Sequence, residues 1–164
     1  MKKKIFALLL ACLLLALAGC GGKTAPGFSE ADLVLTVSGR EYRCRDDIQQ
    51  VIGHLGEDYQ YAEGMSCNYD GLDKTYTYTA ATFYTNPLAE GDLLGEIWSD
   101  GAEVSTSKGI GVGAARDEVT AAYGQPTGGD DLLLIYRAAE NGPALCFEME
   151  NDAVAAIFLT VEPV

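Results

Sequence analysis

"SKGIGVGAARDEVTAAYGQP", Ser107–Pro126, sets three alternating glycines (Gly109, Gly111, Gly113) ahead of a helix-like run. A glycine-rich turn entering a helix can cradle a phosphate, because backbone N–H groups and the helix dipole converge there. A dinucleotide fingerprint, however, needs G-x-G-x-x-G within a parallel βαβ unit, and a phosphate loop needs a closing G-K-[ST]. The spacing here is G-x-G-x-G, with neither. Sliding Gly56 onto Gly124 aligns "YRCRDDIQQVIGHLG" with "IGVGAARDEVTAAYG", placing Tyr42 on Ile110, Cys44 on Val112, Val51 on Val119 and Leu55 on Tyr123. Each segment reads as an alternating strand, then a short helix ending in glycine. The glycine slot in the earlier segment holds Tyr42, Arg43, Cys44 and Arg45, so the glycines ease a strand into a helix rather than hold a ligand.

The pattern extends in both directions. "DLVLTVSGREYRC", Asp32–Cys44, alternates around Ser38-Gly39 and predicts a β-hairpin. Ile48, Val51, Ile52 and Leu55 mark one face of the first helix, with Asp46 and Asp47 at its positive end. "KTYTYTAATFYT" and "DLLLIYRAAENGPALCFEME" each supply two alternating runs around a turn, with Tyr78 opposite Tyr136. The last strands, "LLGEIW" and "AVAAIF", place Ile97 on Ile157 and Trp98 on Phe158. Agreement of period and order predicts an internal repeat, the first copy over residues 33–106 and the second over 107–164.

"GIGVGAARDEVTAAYGQP", "LLLIY" and "ALCFEMENDAVAAIFL" resemble the repeat shared by the β-lactamase inhibitor protein and the small lipoprotein of the outer-membrane assembly machinery. The shared marks are a short helix, the Tyr123-Gly124-Gln125-Pro126 ending, a strand ending in tyrosine, and a final strand pair around a tight turn. "SCNYDGLDKTYTY", Ser66–Tyr78, resembles secreted lipoproteins of clostridia-like bacteria. The resemblance spans residues 33 to 161 and implies an α+β fold. Two tandem helix-plus-antiparallel-strand repeats would form one antiparallel sheet with the helices on one face. The open face would be lined by tyrosines such as Tyr76, Tyr78 and Tyr84, suited to recognition by their rigid rings and polar tips. The alternative is that half of these tyrosines cap the core, and alternation alone does not say which half. The inhibitor's contact loops have no residue-by-residue match here, so none is carried over.

The N-terminus reads as an address. Lys2, Lys3 and Lys4 precede an apolar run, Ile5 to Leu17, that is shorter than the ~20 residues of a spanning helix. Residues 1–19 therefore read as a signal peptide. "LAGC", Leu17 to Cys20, resembles a lipobox, which implies that Cys20 becomes the lipidated N-terminus. Residues 20–32 then read as a flexible tether rich in Gly, Pro and small polar residues. The expected location is the outer face of the cytoplasmic membrane, or the outer membrane if the host has one.

The chain carries 11 basic and 24 acidic residues, net −13. Without residues 1–19, which hold three lysines and no acids, the balance is 8 against 24, or −16. Such a body repels nucleic acid and anionic headgroups. Of five cysteines, Cys44, Cys67 and Cys146 fall in the body. Three thiols allow at most one internal pair, with Cys44–Cys67 the candidate disulfide and three buried thiols the alternative.

Chemistry is sparse in the pattern. His54 is the one histidine and falls opposite the apolar helix face, which reads as a solvated position. There is no C-x-x-C and no H-x-x-x-H for a metal. Asn68, Asp70 and Asp73, and Asp130 with Asp131, lack the alternating acids and distal Glu of a calcium loop and read as turn formers. The resulting expectation is a membrane-anchored extracytoplasmic lipoprotein without catalytic residues, cofactor or metal, binding a protein or peptide partner. The competing expectations are an inhibitor of an envelope or secreted hydrolase, and a solute-binding or spacer lipoprotein.

Overall fold

Ser38 and Gly39 both take positive φ, 48° and 85°, the turn geometry that matches the twist of a two-residue hairpin. In the computed structural model, which describes residues 27–161, this turn joins β1 (Leu35–Val37) to β2 (Arg40–Tyr42). Helix α1 (Ile48–Leu55) follows, started by Asp47, whose side chain accepts from the Gln49 N–H at 2.8 Å. Then come β3 (Gln60–Met65), β4 (Leu72–Thr77), β5 (Thr82–Leu88), β6 (Gly91–Ser99) and β7 (Val104–Thr106). The second half contains α2 (Arg116–Tyr123), β8 (Gly128–Gly129), β9 (Leu133–Arg137), β10 (Ala144–Glu150) and β11 (Ala153–Thr160).

Eight strands form one antiparallel sheet in the order β3-β4-β5-β6-β11-β10-β9-β8, while β2-β1-β7 form a second, three-stranded sheet. The expected single sheet with helices covering one face is thus corrected: the described chain is mostly β, 46% strand against 14% helix, in two antiparallel sheets. The physical reason is coverage. A helix of eight residues is ~12 Å long, whereas eight strands span ~34 Å. The two helices leave much of the sheet bare, and the three-stranded sheet fills the gap. Its Leu35, Val37, Tyr42 and Val104 share one core with Ile48 and Val51 of α1 and Val119 and Tyr123 of α2. The predicted strand before α2 is also absent. Its glycines form a turn that touches β7 through one bridge, Ser105 to Gly111.

Strand register sorts side chains between the two faces of the large sheet. Tyr61, Tyr76, Phe83, Ile97, Leu159, Leu145 and Tyr136 lie directly opposite one another in a single row. All but Tyr61 are buried, beneath the helices and the small sheet. The adjacent row, on the other face, runs Thr77, Thr82, Trp98, Phe158, Cys146 and Ile135 and holds a smaller apolar cluster.

The segment entering each helix is stitched to the sheet. Arg45 N–H donates to the Leu94 carbonyl, and Leu94 N–H returns to Asp46, both at 2.8 Å. Gly113 and Ala114 exchange the corresponding bonds with Val154 of β11 at 2.8 and 2.9 Å.

The expected tether is corrected as well. Its described part, Gly27–Asp32, is folded onto the body. The Phe28 ring sits 6.1 Å from Tyr123 and 5.7 Å from Tyr136, edge-on or tilted. Asp32 is buried, accepts from Ser29 N–H (2.9 Å) and Ser107 hydroxyl (2.9 Å), and pairs with Lys108 at 3.4 Å. Lys108 also reaches the Gly27 carbonyl at 2.5 Å and lies 4.7 Å over the Tyr123 ring. Residues 1–19 and the lipidation candidate Cys20 lie outside the described residues.

Candidate binding edge

Alternation decides the fate of the three candidate tyrosines. Tyr76 pairs with Phe83 and therefore faces the main core, 6% exposed. Tyr78, two residues on, faces the same way, 9% exposed, with its hydroxyl donating to the Gly56 carbonyl at 2.9 Å. Both are corrected from recognition surface to core. Tyr84, opposite Thr75 and Glu96, lies on the other face and is the exposed member. The three candidates do not converge.

Cys44 and Cys67 are also corrected. All three body cysteines are free thiols. Cys44 donates to the Gly95 carbonyl at 3.5 Å, whereas Cys67 sits in the exposed β3–β4 turn. Burial pushes the Cys44 and Cys146 thiols up to about 12. Neither is a nucleophile at neutral pH. His54 is exposed, yet its Nδ1 lies 2.7 Å from the hydroxyl of the fully buried Tyr42. Among the described residues no three His, Cys, Asp or Glu side chains converge as a metal site.

The feature that stands out is β3. All six of its residues are exposed, and among the described residues β4 is its one neighbour. At the other end of the sheet, β8 is two residues long and ends at Gly129. Natural sheets blunt their edges with short strands, charges, proline or bulges. β8 does so by brevity, while β3 presents ~20 Å of strand with one charge, Glu63. Its register with β4 is unbroken over six residue pairs.

An aromatic ladder leads to this edge from the core. Tyr78 stands 5.9 Å from Phe83, Tyr59 lies 5.3 Å from Tyr78 and 5.1 Å from Tyr76, and Tyr61 lies 5.3 Å from Tyr76. Such edge-to-face pairs each contribute ~0.5–1.5 kcal/mol beyond their area. They hold β3 firmly against β4 despite its exposure. The Tyr61 hydroxyl donates to Glu63 and is pushed up to about 12 by that bond, so it stays protonated. Met65 ends the strand almost fully exposed.

At the N-terminal end of β3 a cleft of about 390 Å³ is lined by Asp58, Tyr59, Gln60, Thr77, Tyr78 and Thr79. A neighbouring cleft of about 220 Å³ shares Asp58, Tyr78 and Thr79 and adds Glu103. The sequence reading missed β3 entirely. Its composition (Gln-Tyr-Ala-Glu-Gly-Met) lacks a strong strand signal, and position at an edge is a property of strand order. Comparison with family models, with curated proteins and with solved structures finds no match.

Proposed function

We propose that this chain is a membrane-anchored extracytoplasmic lipoprotein that binds an extended segment of a protein or peptide at the β3 edge, without catalysing a reaction on it. The observation that carries the reading is the exposed six-residue edge, paired to β4 on one side and braced against it by tyrosine rings on one face. An added strand satisfies the outward N–H and C=O groups of such an edge, while alternate side chains supply specificity.

Anchoring through Cys20 rests on the basic, apolar and small-residue order of residues 2–20. Acyl chains contribute ~0.8 kcal/mol per buried methylene, enough for two or more chains to hold the protein on a bilayer. Six residues lie between Cys20 and Gly27, a reach of at most ~25 Å. Phe28 docks against Tyr136 of β9, six strand spacings (~29 Å) from β3. The docked arm thus joins the body toward the end of the sheet opposite the β3 edge.

A photo-crosslinking residue at Ala62, compared in intact cells with the same residue at Asp117 on the exposed side of α2, tests the reading. A discrete adduct from position 62 alone is expected. Equal adducts from both positions, or none from either, would overturn it.

A further inference from the structure

We infer that the segment added to β3 is cationic, with a lysine or arginine side chain seated beside Asp58 and Glu103. This rests on the strand-addition reading above. The surroundings of the edge are strongly acidic. Residues 57–92, which contain β3, β4 and β5, carry seven acidic residues and one basic residue, for a net charge of −6. That single base, Lys74, is engaged with Asp92 at 2.5 Å. An incoming strand therefore meets a field of one sign along its whole length.

The two clefts at the start of β3 give this field a local focus. Asp58 and Tyr78 line both, Tyr59 lines the first as part of its wall, and Glu103 lines the second. Tyr78 is pushed up to about 12, chiefly by burial, so the wall stays neutral at physiological pH. A carboxylate beside an aromatic face suits a lysine ammonium or an arginine guanidinium, which pairs with the first and packs over the second. Asp58 and Glu103 are both exposed, and Glu103 accepts from the Ser38 hydroxyl at 2.9 Å through one of its two oxygens. The same charge argues against a second copy of this chain as the occupant, since two edges of −6 repel each other. Every other pair in the sheet is antiparallel. An antiparallel addition puts the partner's C-terminal end at the Asp58 cleft.

The test uses the full-length protein in detergent micelles and fluorescein-labelled peptides of alternating valine and threonine. Three versions end in paired arginines, glutamines or glutamates, and a fourth carries the arginines on a backbone methylated at alternate nitrogens. Anisotropy titrations should rank arginine above glutamine by about tenfold and glutamine above glutamate, with the gaps narrowing at high salt. The double variant D58N/E103Q should erase the advantage of arginine over glutamine, while D117N on α2 should keep it. Equal affinity for the arginine and glutamine peptides, with no binding of the methylated one, would sink the cationic assignment and leave strand addition standing. Binding of the methylated peptide as tightly as its parent, or no binding of any peptide, would overturn strand addition and this inference with it.

Discussion

The hydroxyl of Tyr136 donates to the carbonyl of Gly124 at 3.0 Å, tying β9 to the C-terminal end of α2. Tyr78 makes the same bond to Gly56 at the end of α1, at 2.9 Å. The rings meet their neighbours alike: Tyr136 stands edge-on to Phe147 at 88°, and Tyr78 edge-on to Phe83 at 87°. Both glycines hold nearly identical backbone angles, φ 84° and ψ −167° at Gly56, φ 81° and ψ −161° at Gly124. A side chain is strongly disfavoured in that region. The carbonyl each glycine exposes at the helix end would lose its partner without the tyrosine.

These latches are expected to carry measurable stability. Tyr136→Phe and Tyr78→Phe should each cost about 1 kcal/mol by urea denaturation. Gly124→Ala should cost more, about 1–3 kcal/mol, because it strains the backbone itself. Equal midpoints for wild type and Tyr136→Phe would show that the hydroxyl contributes nothing.

Asp32 makes the docked arm sensitive to acid. Burial raises its carboxyl, but hydrogen bonds from Ser107 and Ser29 and the Lys108 charge outweigh it, leaving the group below its ordinary 3.8. A depressed carboxylate favours the folded state above its unfolded value and loses that contribution as pH falls through the folded one. Asp32→Asn should therefore be less stable than wild type by roughly 1–2 kcal/mol at pH 6. The gap should close below pH 3.8. A gap that is constant with pH would assign the loss to packing rather than charge.

The three body thiols should separate cleanly by reactivity. Cys67 is exposed, whereas Cys146 is fully buried and Cys44 is pushed up to about 12. Cys67→Ser should remove the fast phase of labelling by a thiol reagent in the native protein. Cys44→Ser and Cys146→Ser should leave that phase intact until denaturant is added. Fast labelling that survives Cys67→Ser would contradict the burial of the other two.

Membrane attachment is expected to depend on one side chain. Cys20→Ser should move the protein from the membrane fraction to the soluble fraction without changing its melting temperature. Retention in the membrane after that change would refute the lipid anchor.

Much of the local structure could be read in advance from short-range chemistry. Ser38-Gly39 demanded a hairpin turn, and Asp47 and Gly56 bounded α1. Those assignments depend on residues within one or two turns of chain, where backbone geometry and capping act alone. Alternation divides a strand into two sets of side chains, but it is symmetric and does not name the covered set. Tyr76 and Tyr78 became core because β1, β2 and β7, brought together across some seventy residues, lie over their face. Phe28, in a stretch with the composition of a linker, became a docked residue because Tyr123 and Tyr136 meet to receive it. The β3 edge is the plainest case. Gln60–Met65 carries no mark of its role, and only the order of eight strands leaves it last in line, with one side of its backbone unpaired among the described residues.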